Sequence, residues 1–230
     1  MKTSTSDIQW PCNLSQALKD ELLLSAITVH GLSDRNQFKR SSVDGVFYIV
    51  QGIMSISFAS ENTNTMNATL LSANTWAGGG VIYNSLSLNA TIDEILPCTI
   101  LYFPKEKIDR LASTNDEVFR WLYHCTLDLQ KNWLQSQLCS LYDRESRIVF
   151  SLLDLAKRLP AVQGSLIKID ISQKQLSQIT GISRPRLNEV LKSLEAANEI
   201  SLERGSIHLI DIPSLNKKTE KLKHAFQTIS

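Results

Sequence analysis

Between Ser183 and Lys192 the stretch "SRPRLNEVLK" brings together Arg184, Arg186, Asn188, Glu189 and Lys192. Four of these side chains can read hydrogen-bonding edges. A guanidinium on Arg184 or Arg186 offers paired donors that match O6 and N7 of guanine, the Asn188 amide matches adenine, and the Glu189 carboxylate accepts from cytosine N4. Leu187, Val190, Leu191 and Leu194 interleave with them at i, i+3, i+4 and i+7, the spacing of one apolar helix face. The polar set then lies on the opposite face. Ser172, Lys174, Ser183, Lys192 and Arg204 surround it and suit phosphate oxygens, contacts that set register rather than sequence. The rotation of the helix, and hence which side chains meet bases, is left open by spacing alone.

The segments around this stretch must position it. In "ISQKQLSQITGISRPRLNEVLKSLE", Ser172 caps a first short helix, with Gln175 at the third position of a capping box. Leu176 and Ile179 point that helix inward. Gly181 ends it, because glycine turns left-handed without steric cost. Ile182 plugs the corner, Ser183 caps the second helix, and Pro185 is tolerated in its first turn. A break of this kind angles the second helix outward, so that its N-terminal end can enter a DNA major groove. "GSLIKIDI" ahead of the pair reads as a strand, and "ISLERGSIHLIDI" behind it as a hairpin turning at Arg204-Gly205, which makes a winged helix-turn-helix. "RESRIVFSLLDLAKRLP" reads as a helix ended by Pro160, and "SLNKKTEKLKHAFQ" as a further basic helix. The competing reading is a helical hairpin with a solvated charged face. The capping serine, turn glycine, preceding strand and following wing together weigh against it.

Upstream the texture differs. From about Val43 to Phe103 the chain favours alternation and β-branched or aromatic residues. "GVFYIVQGIMSISF" reads as two strands broken at Gln51-Gly52. "NATLLSANTWAGGGVIY" and "SLNATIDEILPCTILYF" continue in short strand-like pieces, which suggests a compact barrel, roll or sandwich. After Pro104 comes a long helix, with Asn115 as cap and Asp116 and Glu117 complementing its dipole. Leu127, Leu134, Leu138 and Leu141 fall at spacings of 7, 4 and 3, a short coiled-coil-like seam. Val118, Leu122, Cys125 and Leu129 make a second stripe. One face is expected to cover the β-domain and the other to meet a partner helix; a helix buried within one chain is the alternative.

The chain has 230 residues, 43% hydrophobic and 20% charged, and a formal net charge of +1. Residues 1–142 hold 10 Lys and Arg against 13 Asp and Glu, whereas residues 143–230 hold 14 against 10. That excess hints at an anionic partner for the C-terminal part. No apolar run approaches the ~20 residues of a membrane span, and the N-terminus lacks a signal-peptide core, so a cytoplasmic protein is expected. Cys12, Cys98, Cys125 and Cys139 are scattered without a CxxC pair, which argues against a disulfide framework or a metal nest. Cys125 and Cys139, fourteen residues apart, leave a redox role at a helix seam open. No GxSxG, P-loop or dinucleotide glycine fingerprint appears, and "AGGGV" lacks the Gly-Lys-Ser/Thr of a P-loop. An enzyme is therefore disfavoured.

"DRESRIVFSLLDLAKRL" and "DISQKQLSQITGISRPRLNEVLKSLEAANEI" resemble the Crp/Fnr family of bacterial transcription factors, and "FYIVQGIMSIS" resembles that family's strand–Gly–strand core. The resemblance implies an α+β fold. It has a cyclic-nucleotide-binding-like β-roll (double-stranded jelly-roll type) over residues 1–112 with an N-terminal helical segment, a dimerisation helix over 113–142, and a winged helix-turn-helix over 143–230. It further implies a homodimer that binds palindromic double-stranded promoter DNA and contacts RNA polymerase. A sensor module whose winged helix binds protein is the alternative function.

The sequence also departs from the family. The family's Ser-Arg-Glu start of the recognition helix is Ser183-Arg184-Pro185 here, and Glu189 stands where a second base-reading arginine is found. Cyclic-nucleotide binders carry Gly-Glu for the ribose and Arg-Ser for the phosphate. The matching stretches here are "WAGGGVIY" and "SLSLNAT", so the effector pocket, at Gly78, Gly79, Gly80, Leu88 and Asn89, is expected to be degenerate. No Lys or Arg occurs between Arg40 and Lys105 to compensate a buried phosphate. Control by cAMP is not expected. Haem would need an axial ligand such as His30, His124 or Cys12 and is disfavoured. An unusual or uncharged small molecule, a redox response, or no effector remain open; no cofactor or metal is expected.

Overall fold

The computed structural model describes residues 8–31, 45–58, 68–79, 90–159 and 167–222. These divide into two compact units, 1–56 with 70–133, and 57–69 with 134–230. The dividing point falls inside the long helix.

In the first unit, α1 (Gln16–Ser25) precedes β1 (Ile27–His30), β2 (Gly45–Phe58), β3 (Ala68–Ser72), β4 (Trp76–Ala77) and β5 (Ala90–Pro104), and α2 (Lys105–Ala112) follows. The strands form one sheet in the order β1-β5-β2-β3, with β4 also on β2. β1 runs antiparallel to β5 from Ile27 opposite Tyr102 to His30 opposite Thr99, and β4 runs antiparallel to β2. Side chains alternate to opposite faces of a strand, so β2 serves two cores. Val46 and Tyr48 join Leu18, Leu22, Trp76, Leu101, Phe103 and Trp121 on one side. Phe47, Ile49, Met54, Ile56, Leu71, Cys98 and Ile100 pack on the other.

Two strand expectations are corrected here. β2 is one strand of 14 residues rather than two. Its odd residues Phe47 and Ile49 and its even residues Met54 and Ile56 nonetheless face the same core, so the alternation changes phase between them. Gly52, at φ +96°, supplies the change; a Cβ there would lie 2.3 Å from the Pro97 carbonyl oxygen. The predicted break is a bulge-like shift within a continuous ladder. Likewise β5 is one strand of 15 residues that runs through Pro97, not a set of short pieces.

Helix α3 (Glu117–Ser140) starts where Asn115 Oδ1 accepts from the Glu117 amide at 2.9 Å. Val118, Trp121, Leu122 and Cys125 are buried on its inner face, and Leu129 is half-buried against the second core. This is the covering stripe expected from sequence. Trp76 anchors it, with ring centroids 5.6 Å from Trp121, 4.7 Å from Tyr48 and 5.5 Å from Trp10. Cys125 belongs to this core at 0% exposure, which removes it from any seam. Leu141 is corrected too: α3 ends at Ser140, so the fourth seam leucine lies past the helix, 78% exposed. Among the described residues no helix is long and apolar enough to cross a membrane.

The second unit holds α4 (Arg144–Arg158), β6 (Ile167–Asp170), α5 (Gln173–Thr180), α6 (Arg184–Ala196), β7 (Ile200–Glu203), β8 (Ser206–Leu209) and α7 (Ile212–Lys218). The expected basic tail helix thus begins at Ile212 and spans 7 residues. Asp143 caps α4, its carboxylate accepting from the Ser146 amide at 2.9 Å. The three strands are antiparallel in the order β6-β8-β7. Ile148, Val149, Leu152, Leu176, Leu187, Leu191, Leu194 and Ile207 form the buried interior of this unit.

Candidate nucleic-acid interface

The turn between α5 and α6 is built as the sequence reading required. The Ser172 hydroxyl accepts from the Gln175 amide at 3.2 Å, and the Gln175 side chain accepts from the Ser172 amide at 3.0 Å. Gly181 is left-handed at φ +64°, ψ +22°. Ile182 is buried beneath the corner, and the Ser177 hydroxyl donates to its carbonyl at 2.6 Å. Arg147 of α4 adds a support that sequence did not reveal, because its guanidinium donates to the Thr180 carbonyl at the end of α5. Desolvation pulls the Arg147 pKa down, the mark of a cation spent on internal structure. One detail is corrected: Ser183 holds the capping position of α6, but its hydroxyl makes no cap hydrogen bond. Pro185 in the first turn supplies the helical φ instead, which leaves the exposed Ser183 hydroxyl available.

Burial of Leu187, Leu191 and Leu194 fixes the rotation of α6. At ~100° per residue, Pro185, Glu189 and Lys192 centre the outward arc. Arg186 borders it on one side and Asn188 on the other, whereas Arg184, seven residues before the buried Leu191, lies toward the inner face and is exposed because it is the first residue of the helix. Arg184, Arg186, Glu189 and Lys192 are exposed, whereas Asn188 is half-buried. Of the expected phosphate contacts, Ser172, Lys174 and Arg204 are exposed as well. Among the described residues none of Lys174, Arg184, Arg186, Lys192 and Arg204 forms an ion pair. Other cations of this unit are engaged: Lys168 lies 3.1 Å from Asp170, and Lys218 contacts Glu145. Unpaired cations thus line α5, α6 and the wing, although Arg144 and Lys157 of α4 and Lys217 of α7 are also exposed without an ion pair among the described residues.

The wing is the β7–β8 hairpin, turning at Arg204-Gly205 with Gly205 at φ +84°. His208 Nε2 and Glu203 Oε2 approach to 3.1 Å. The imidazole beside it holds the Glu203 carboxyl below its ordinary range.

On the outer side of α3, Phe119, Tyr123 and Leu127 follow at i, i+4 and i+8, with Leu134 one heptad further. They are 40%, 61%, 38% and 38% exposed. Leu138 is half-buried. The aromatic part of this stripe, with Trp133 at 45%, escaped a search for leucine spacing. Cys139, near the end of α3, is half-buried, and burial pushes its thiol up to about 12, which disfavours the reactive thiolate.

At the expected effector pocket, Gly78 and Gly79 are glycine for reasons of packing. A Cβ on Gly78 would stand 2.3 Å from the Gly45 carbonyl, at φ +94°. A Cβ on Gly79 would stand 2.2 Å from the Leu122 carbonyl oxygen of α3. Gly80, Leu88 and Asn89 lie outside the described residues.

Residues 146–218 match the Crp-like helix-turn-helix domain family. The cAMP-activated global transcriptional regulator CRP of Pasteurella multocida is 26% identical over 165 residues, 70% of this chain and 79% of the relative. Its namesake in Salmonella typhimurium is 24% identical over 192 residues, 81% of this chain and 91% of the relative. A Crp/Fnr-family regulator from Eubacterium rectale superposes with a TM-score of 0.71 at 15% identity, covering 90% of this chain and 95% of its own. The c-di-GMP-responsive regulator CLP of Xanthomonas campestris gives 0.68 at 18% identity, covering 85% and 99%. Those likenesses establish the shared fold, an α+β chain with a cyclic-nucleotide-binding-like domain. Residues 146–218 thus carry a Crp-like helix-turn-helix domain, and over most of its length the chain is similar to CRP-type transcription regulators.

Proposed function

We propose that this protein binds a specific palindromic site on double-stranded DNA as a homodimer and acts on transcription through RNA polymerase, without control by cAMP. The observation that carries the reading is the outward arc of α6. With Arg184 at its N-terminal end, it presents Arg186, Asn188 and Glu189 beside cations that no internal carboxylate neutralises. In the major groove those four side chains read bases, while Ser172, Lys174, Ser183, Lys192 and Arg204 hold phosphates. Glu189 at the centre of the arc favours cytosine at the position it meets.

Dimerisation is assigned to the outer face of α3, through Leu127, Leu134 and Leu138. Two identical α6 helices then impose two-fold symmetry on the site, with half-site centres about 10 bp apart or a multiple of that. The core of the β-domain opposite α1 gathers Phe47, Ile49, Met54, Ile56, Leu71, Cys98 and Ile100, and among the described residues no Lys or Arg is buried. It offers no cation to a cyclic phosphate, and Gly79 lies too close to α3 for the ribose-binding glutamate to replace it there. The role is that of a cytoplasmic regulator rather than an enzyme.

Selection of bound duplexes from a randomised DNA pool, with purified protein and no added ligand, tests this. A recovered palindrome is the expected result. No enrichment, with or without cell extract, would overturn the reading.

A further inference from the structure

Four of the polar residues of α6, Arg184, Arg186, Glu189 and Lys192, extend freely into solvent. Asn188 does not. Gln173, the first residue of α5, donates through Nε2 to Asn188 Oδ1 at 3.5 Å, across fifteen residues of sequence. Both side chains are half-buried, whereas Arg184, Arg186, Glu189 and Lys192 are exposed.

The backbone beneath Gln173 is held firmly. It is flanked by the reciprocal Ser172–Gln175 capping box, and the far end of α5 is tied to α4 by Arg147. The backbone that carries the donor is therefore held in place. This matters because an asparagine amide has a broad, two-fold torsion at its end. Left alone it presents oxygen and nitrogen interchangeably. Adenine readout needs the oxygen toward N6 and the nitrogen toward N7 at the same time. A carbonyl oxygen has two lone pairs, so one can accept from Gln173 while the other stays available to a base.

We infer that Gln173 is a positioning residue for base recognition: it fixes the orientation of the Asn188 amide, and so sets which base Asn188 accepts. The inference rests on the DNA-binding reading above. Gln173 itself needs no contact with a base. Because both partners are uncharged, the effect is one of specificity and depends little on salt.

The test is a double-mutant cycle with wild type, Gln173→Ala, Asn188→Ala and the double variant. Each is measured against the selected duplex and against duplexes with every base pair of the half-site changed in turn. Asn188→Ala should lower discrimination at one base pair of each half-site roughly tenfold, within the range of a bidentate amide–base contact. Gln173→Ala should weaken discrimination at that same base pair and at no other. The double variant should behave as Asn188→Ala alone. Gln173→Glu can only accept, so it should turn the Asn188 amide over and change the preferred base at that position.

Additive losses, an even loss across all sequences, or no loss at all with Gln173→Ala would overturn the inference, the even loss making Gln173 a phosphate contact. Wild type that enriches no duplex would overturn the DNA-binding reading and this inference together. Wild type that enriches a site while the cycle is additive overturns the inference alone. Matching thermal unfolding of the four proteins shows that the fold is intact.

Discussion

Replacing Lys192 by alanine isolates the electrostatic half of the proposed interface. Lys192 is exposed on α6 and forms no ion pair among the described residues, so its whole charge is available to a phosphate. A cation that neutralises one phosphate of B-DNA releases counterions and contributes about 0.9 to the slope of log affinity against log salt. A homodimer uses the residue twice, so Lys192→Ala should flatten that slope by about 1.8. Over a fourfold rise in salt, the wild-type affinity then falls roughly 12-fold further than that of the variant.

Fluorescence anisotropy of a labelled duplex across a potassium chloride series reads this directly. The change should be the same on the selected site and on scrambled DNA. Lys168 provides the comparison, because its ammonium lies 3.1 Å from Asp170 on its own strand; Lys168→Ala should leave the slope unchanged. An unaltered slope with Lys192→Ala would rule out a phosphate contact at this residue. Equal flattening by Lys168→Ala would refute the reasoning, because it would mean that net charge rather than contact sets the slope.

Arg186→Ala should cost about 1–3 kcal/mol on the selected site and much less on unrelated DNA; equal losses on both would make it a phosphate contact. Leu134→Glu puts a charge into the outer stripe of α3 and should halve the mass seen by light scattering, whereas an unchanged mass would remove that face from the dimer interface. Gly79→Ala drives a methyl group to 2.2 Å from the Leu122 carbonyl. It should destabilise the protein by about 1–3 kcal/mol, as overpacking does, and a wild-type urea midpoint would show that the approach is not so close. Glu117 accepts hydrogen bonds from the Ser15 hydroxyl at 2.6 Å and the Ser15 amide at 2.9 Å, and these hold its carboxyl below the ordinary value of 4.5. A depressed carboxylate contributes stability above its unfolded pKa and loses it as pH falls through the folded one. Glu117→Gln should therefore flatten the decline in stability below about pH 4.5, and equal acid sensitivity of both proteins in urea titrations would contradict this.

The recognition unit is largely legible in the sequence because its determinants are local. The Ser172–Gln175 box, the left-handed Gly181, the buried Ile182 and the apolar face of α6 each depend on residues within a few positions of one another. The inner stripe of α3 was readable for the same reason. Tertiary structure decided what spacing cannot carry. The phase of β2 changes at Gly52 because the strand passes Pro97 and Cys98, more than forty residues away. Gly79 looks like part of a pocket loop in sequence and proves to be a close contact with α3. The stripe read as four leucines stops short of Leu141, since a heptad count does not register where a helix stops, and exposure adds Phe119 and Tyr123 to the apolar outer face of α3. At the recognition helix, sequence supplied the side chains able to read bases. Their rotation came from packing against the core. The restraint on Asn188 came from Gln173, a pairing of residues brought together by the angle between two helices. Local propensity and capping act within a few residues and are written in order along the chain. Orientation and close approach are set by partners distant in sequence, so only the folded chain specifies them.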